Sequence, residues 1–296
     1  MTATLQWTTD GRDWPNREAS RFIDVGGVRW HVQCRGHGPT LLLLHGTGGS
    51  THSWRDLLPL LSAHYCLVAP DLPGHGFSAP LPAAQRSLPG MARATAELLR
   101  ALQATPQAVL GHSAGGALML RMALDGALDR ATLLGLNAAL LPFEGWASVL
   151  YPTMARLLAR QRWVALMAAW RAKDPMAVRR LIASTGSTLD ERGIALYQRL
   201  MRSPGHVAGA LRMMADWDLP GLQRDLGRLQ RTLQLFVGVR DATVPAEQAE
   251  RVAARVGRCK LHRLPALGHL AHEEAPQAVA ALALALAWPQ AKVVAG

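Results

Sequence analysis

The stretch Gln107 to Gly116 reads QAVLGHSAGG: a short apolar run, a serine between glycines, then a small-residue segment with helical spacing. A strand that ends in G-H-S-A-G and turns at once into a helix lifts its serine out at a sharp bend, where it can act as a nucleophile. Gly111 and Gly115 suit that bend, because a Cβ at either would crowd strand against helix. The expected chemistry is acyl transfer. Ser113 would attack, and the amide of Ala114, at the start of the helix, would point toward an oxyanion. A second stretch, His45-Gly46-Thr47-Gly48-Gly49, follows the apolar run Thr40 to Leu44. Glycines after a buried strand let backbone amides approach a ligand, so the N–H of Thr47, with Gly48 beside it, is the natural second oxyanion donor.

Such a serine needs a base, and the base needs a group to orient it. Asp241 lies in GVRDATVP, just beyond the strand-like run Thr232 to Val237, where a carboxylate can stabilise an imidazolium. Asn137, after Thr132 to Leu136, is the competing position, but an amide supplies no negative charge. His269, in PALGHL after Lys260 to Leu264, is the expected base. His262 falls within the strand and His272 opens a helical segment. Asp71 and His75, in PDLPGHG, read more simply as side chains that satisfy turn backbone.

The elements that must position these residues follow from the hydrophobic pattern. Arg21 to Val25 and Val28 to Cys34 flank Gly26-Gly27 and predict a hairpin. Thr40 to Leu44, Tyr65 to Ala69, Ala108 to Leu110 before the serine bend, Thr132 to Leu136, Thr232 to Val237 and Lys260 to Leu264 read as strands, and Leu88 to Leu102 as a helix. Strands alternating with helices predict an α/β class with a mostly parallel sheet. From Pro142 to Leu222 strand signals vanish and helical periodicity takes over, in MARLLARQRWVALMAAWRA, DPMAVRRLIAST and HVAGALRMMADW. Residues 142–222 are therefore expected to form a helical cap inserted in a core domain of residues 1–141 and 223–296. The cap carries eleven Arg and Lys against six Asp and Glu. Its Trp, Met and Leu side chains would suit a bulky apolar substrate and its arginines a substrate carboxylate, although each one alone is more simply a cap-core or solvated side chain. The first twenty residues give no clear element.

Composition sets the outer bounds. A 296-residue chain with 49% hydrophobic residues can bury a large core. Cys34, Cys66 and Cys259 are widely spaced and lack C-x-x-C pairing, which predicts neither a disulfide framework nor a zinc site and suits the cytoplasm. No signal-like apolar stretch opens the chain, and Ala278 to Trp288 is too short to span a bilayer, so an integral membrane protein is not expected. The net charge of +11 is arginine scattered through helices, with no lysine-rich tail or aromatic RNA-binding signature, which argues against nucleic acid. No cofactor and no metal is called for by the expected chemistry.

Taken in order, LLLLHGTGG, VAPDLPGHGFS, VLGHSAGG, LFVGVRDATVP and LPALGHLAHEE resemble the α/β-hydrolase superfamily over Arg21 to Trp288. The resemblance implies the chain order Ser113, Asp241, His269 for nucleophile, acid and base, with Thr47 and Ala114 forming the oxyanion hole. DGRDWPNREASRF, HGTGGSTHSWRDL and SPGHVAGALRMMADWDL further resemble the BchO-type accessory proteins of magnesium chelatase in photosynthetic bacteria. That likeness implies bacteriochlorophyll metabolism, a porphyrin ligand and magnesium chelatase as partner. It leaves two functions open: an esterase-like hydrolase, or a porphyrin-binding accessory protein with an idle triad. Carbon–carbon hydrolysis and perhydrolysis would use the same residues. Dehalogenation by an aspartate nucleophile is disfavoured by Ser113.

Overall fold

The computed structural model describes residues 4–142 and 161–287. Eight strands form one sheet: β1 (Ser20–Val25), β2 (Val28–Arg35), β3 (Thr40–Leu44), β4 (Cys66–Pro70), β5 (Pro106–His112), β6 (Thr132–Leu136), β7 (Leu233–Gly238) and β8 (Cys259–Leu264). Their order is β1-β2-β4-β3-β5-β6-β7-β8. Only the β1–β2 and β2–β4 pairings are antiparallel, and the hairpin turns at Gly26-Gly27, both with positive φ. From β4 to β8 every pairing is parallel. This is the α/β-hydrolase arrangement, as expected.

The parallel strands are covered on both faces, which is why they read as continuous apolar runs. In β3, Leu42 and Leu44 join the core beneath helices Leu88–Ala101 and Ala114–Leu124. Leu41 and Leu43 point the other way, against Leu57–Leu61 and Pro276–Ala287. The period-2 alternation of a strand thus fills two cores from one five-residue run. Helix starts are marked by short polar caps followed by proline: Ser87 accepts from Gly90 N–H and Asp174 from Met176 N–H.

Between β6 and β7 the described chain is helical: Arg162–Arg171, Pro175–Ala183, Glu191–Met201, Pro204–Asp216 and Leu219–Asp225. Glu191–Met201, capped by Asp190, is a helix not expected from the periodic segments of the sequence. Residues 143–160, with Glu144, Arg156 and Arg160, lie outside the described residues. Val178, Ile182, Leu189, Ile194 and Tyr197 form a small core of their own, which Leu270 joins from the chain after β8. The N-terminal residues, unassigned from sequence, form the short helix Trp7–Asp10 and bring Trp14 against Leu196 and Leu200. Trp14 Nε1 donates to Thr51 Oγ1 at 3.0 Å.

In strand order, the chain moves outward from β3 to β4 and then returns to β5 on the other side of β3. Such a switch point leaves a crevice at the carboxyl ends of the strands, and ligands bind there in open α/β sheets. The loops that leave β3 and β5 are His45–Gly49 and the serine bend.

Candidate active site

Ser113 occupies the bend between β5 and helix Ala114–Leu124 with φ 51° and ψ −118°. A non-glycine residue there stores about 1 to 3 kcal/mol of strain, which its surroundings must overcome. They do so through the main chain: Ser113 N–H donates to Leu136 O at 3.0 Å, and its carbonyl accepts from Gly116 and Ala139 N–H. The flanking glycines are required by close approach. A Cβ on Gly111 would fall 2.5 Å from Gly115 O, and one on Gly115 would fall 2.1 Å from Leu44 O. Ala114 is the first helical residue, so its N–H has no acceptor within the helix.

The loop after β3 lies directly on this bend: a Cβ on Gly46 would come within 2.9 Å of Ser113 Cβ. Gly49 N–H donates to Gly46 O, and Gly48 takes φ +75° to close the turn that carries Thr47. Buried His45 holds it from beneath. Leu72 N–H donates to His45 Nε2 at 2.8 Å, so Nδ1 carries the proton donated to Gly46 O. Burial pushes this imidazole down from its ordinary value and keeps it neutral.

The structure brings Asp241 and His269 together. His269 Nδ1 lies 2.7 Å from Asp241 Oδ2, and the aspartate side chain is wholly buried. The other carboxylate oxygen accepts from Thr243 and Val244 N–H at 2.7 and 2.8 Å, which fixes the acid in the turn after β7. Asn137 has a different task from the one weighed for it. At φ 45°, it donates through Nδ2 to the carbonyls of Gly268 and His269, and its Oδ1 accepts from Gly238 N–H. His112, beside the serine, donates from Nε2 to His269 O at 2.9 Å, with the two rings 4.8 Å apart. Burial, followed by the neighbouring His272 and His269, pushes His112 well below the ordinary histidine range. Asn137 and His112 therefore tie the ends of β5, β6 and β7 to the His269 loop.

The other candidates are placed elsewhere. His262 pairs with Gln234 on β7, and His272 is buried against Trp54 and His112. Asp71 forms a second buried pair, with His31 at 2.7 Å, and accepts from Thr51 and Phe77 N–H. Burial alone would raise its carboxyl, but the His31 ring and the Phe77 N–H outweigh it and hold Asp71 well below the usual range. His75 is buried between the rings of His45 and His206. Asp71 thus satisfies backbone N–H groups in and beside its turn.

Two pieces of the inserted segment reach the site that sequence reasoning missed. In the turn Thr185–Thr188, Thr185 O accepts from Ala242 and His269 N–H, and Ser187 Oγ accepts from Leu270 N–H. Gly186 takes φ +79°, and a Cβ there would fall 1.8 Å from Arg240 O. Glu274 closes the clamp by accepting from Gly268 N–H, Ser187 Oγ–H and Thr188 N–H. On helix Pro204–Asp216, His206, Gly209 and Met213 share one face at i, i+3 and i+7. His206 donates to Gly48 O and accepts from Gly76 N–H, Gly209 packs on the backbone of Gly74, and Thr47 Oγ1 donates to Met213 Sδ at 3.2 Å. Among the described residues, no three His, Cys, Asp or Glu side chains converge as a metal site, and no helix is long and apolar enough to cross a membrane.

The sheet, the bend at Ser113 and the loops around it belong to a known architecture, and the sequence agrees: residues 41–282 match the alpha/beta hydrolase family, to which this chain belongs. Over 274 residues the chain is 41% identical to the "Magnesium-chelatase 30 kDa subunit" of Rhodobacter capsulatus, spanning 92% of this chain and 95% of that protein. Among solved structures, the fold is shared with the epoxide hydrolase CorEH (TM-score 0.76, 23% identity, 90% of this chain and 97% of that one). It is shared also with an alpha/beta hydrolase fold protein from Burkholderia ambifaria (TM-score 0.75, 24% identity, 96% and 99%).

Proposed function

We propose that the protein is a serine hydrolase in which Ser113 is the nucleophile, His269 the general base and Asp241 its orienter. His269 takes the Ser113 proton as Oγ bonds to an ester carbonyl carbon. The amides of Thr47 and Ala114 stabilise the oxyanion; each such donor typically contributes about 3 to 4 kcal/mol of barrier lowering. Collapse breaks the bond to the leaving alkoxide, which takes the proton from His269. Water then attacks the acyl-enzyme, giving its proton to the same imidazole, and Ser113 and a carboxylic acid are released. None of these steps calls on a metal or a cofactor.

The observation that carries the reading is the buried 2.7 Å contact between Asp241 and His269, with the strained Ser113 bend tied to the same loop through His112. Residues 142–222 act in this reading as a cap over the core formed by 1–141 and 223–296. The test is steady-state hydrolysis of a short aryl ester. Ser113→Ala is expected to lower kcat by on the order of 10⁴-fold or more. A fully active Ser113→Ala protein would contradict the mechanism.

The 41% identical magnesium-chelatase subunit favours a second reading. Here the protein is a cytoplasmic accessory of magnesium chelatase in bacteriochlorophyll synthesis that holds a porphyrin under the cap, with the triad idle. Fold alone does not choose between the two. Porphyrin titration separates them: tight binding that survives Ser113→Ala, without ester turnover in the wild type, supports the accessory role.

A further inference from the structure

The chain around the proposed base divides its backbone polar groups between two neighbours. Its carbonyls go to the ends of β5 and β6: Gly268 O and His269 O accept from Asn137 Nδ2, and His269 O accepts from His112 Nε2 as well. Its N–H groups go elsewhere. Gly268 N–H donates to Glu274 Oε2 at 2.8 Å, His269 N–H to Thr185 O at 3.4 Å and Leu270 N–H to Ser187 Oγ at 2.8 Å. Thr185 and Ser187 belong to the turn between helices Pro175–Ala183 and Glu191–Met201.

The same turn reaches the proposed acid. Thr185 O also accepts from Ala242 N–H, next to Asp241, at 3.1 Å, so one carbonyl oxygen serves both the chain that carries the carboxylate and the chain that carries the imidazole. Arg240 N–H donates to Leu267 O and joins these two loops near their strands; Thr185 joins them again at the residues beside the Asp241–His269 contact. The fit is close. A Cβ on Gly186 would fall 1.8 Å from Arg240 O, and one on Gly268 would fall 2.2 Å from Gly186 O and 2.6 Å from Ser187 Oγ. Glu274 secures the turn, since its Oε1 accepts from Thr188 N–H at 3.0 Å and its Oε2 from Ser187 Oγ–H at 3.1 Å. Ser187 is 2% exposed, so its hydroxyl has no water to exchange for these partners, and losing it would leave Leu270 N–H without an acceptor.

We propose that Ser187 and Glu274 are positioning residues for His269: through the turn Thr185–Thr188 they fix its imidazole against Asp241, so the segment between β6 and β7 sets the base as much as the sheet does. Neither side chain touches the reacting atoms. For its effect on turnover the inference rests on the reading of Ser113, His269 and Asp241 as a hydrolytic triad. Its effect on the His269–Asp241 hydrogen bond needs no turnover.

The experiment reads that hydrogen bond by proton NMR, as the low-field resonance of His269 Nδ1–H, assigned by its loss in His269→Gln. Steady-state kinetics on an aryl ester and circular dichroism accompany it. In Ser187→Ala and in Glu274→Ala the resonance is expected to move upfield or broaden, and kcat to fall about 10- to 100-fold with KM within about twofold of wild type. Glu274→Gln keeps an oxygen for Gly268 N–H and Ser187 Oγ–H and should recover most of both signals. If Glu274→Ala does not fold, Ser187→Ala decides. A wild type without the resonance, a resonance unchanged in the Ala variants, or an unchanged kcat in those variants of an active enzyme overturns the proposal. A wild type that shows the resonance and hydrolyses no ester contradicts the hydrolase reading instead, and the resonance in the variants then decides the positioning.

Discussion

At the scale of single residues, Ser113 is held by its main chain and His269 by its neighbours. Asn137 joins the two sides. Its amide has two donors and an acceptor, and the site uses both kinds: two carbonyls of the His269 loop and one N–H at the end of β7. An aspartate there would face two carbonyl oxygens with no proton to give, which explains why an amide, set aside as a catalytic acid, stands at this position. Asn137→Ala should lower kcat for an aryl ester by about 10- to 100-fold, since small displacements of a base cost that much, with KM little changed. Asn137→Asp should be no better. Steady-state kinetics of both variants decide this; a normal kcat in either would remove Asn137 from the positioning of His269.

At the scale of elements, the loops around Ser113 and His269 are set from both sides, by strand ends below and by the inserted helices above. Helix Pro204–Asp216 is fixed to the candidate oxyanion loop through His206, which must be neutral to donate to Gly48 O and accept from Gly76 N–H together. Burial pushes this ring down to about 4, against the Gly48 hydrogen bond. Between that value and the ordinary histidine value, the unfolded chain binds a proton that the folded chain refuses. Stability is therefore complete above the unfolded value and falls as pH drops toward about 4. The loss attributable to His206 between pH ~7 and ~5 is about 2 kcal/mol. Urea unfolding at these two pH values should show it in wild type and not in His206→Gln; equal pH dependence would contradict the assignment. The i, i+3, i+7 spacing of His206, Gly209 and Met213 was present in the sequence, but periodicity cannot say which neighbour a face will meet. The turn Thr185–Thr188 was less legible still. Its Gly186 is required by a carbonyl from another part of the chain, at Arg240.

At the scale of the whole molecule, distant segments meet beneath the His269 loop. Arg55 ion-pairs with buried Glu273, whose other oxygen accepts from Tyr197 Oη–H at 2.7 Å, so the chain after β3, the chain after β8 and the inserted helices share one buried network. Removing one partner strands the other charge. Arg55→Ala is expected to lower stability by about 3 to 5 kcal/mol in urea unfolding, and a loss within ~0.5 kcal/mol would show that the pair holds nothing together. Networks of this kind join residues far apart in the chain, and no local pattern announces them. What the sequence did carry was local. Parallel strands buried on both faces appear as unbroken apolar runs, so Thr40–Leu44 and Thr132–Leu136 were legible to the residue. The serine bend was legible because its glycines answer to contacts within the G-H-S-A-G turn and the adjoining strand. Trp7 and Trp14, in a segment without periodicity, find their places only through tertiary contacts.

The proposed mechanism stands or falls with Ser113 as an activated nucleophile. Incubation of the purified protein with a fluorophosphonate probe, followed by intact-mass measurement, tests this directly, because the probe needs only a reactive serine and no matching substrate. A single adduct on the wild type and none on Ser113→Ala is the expected result. A wild type that stays unlabelled, or an adduct that persists in Ser113→Ala, would contradict it.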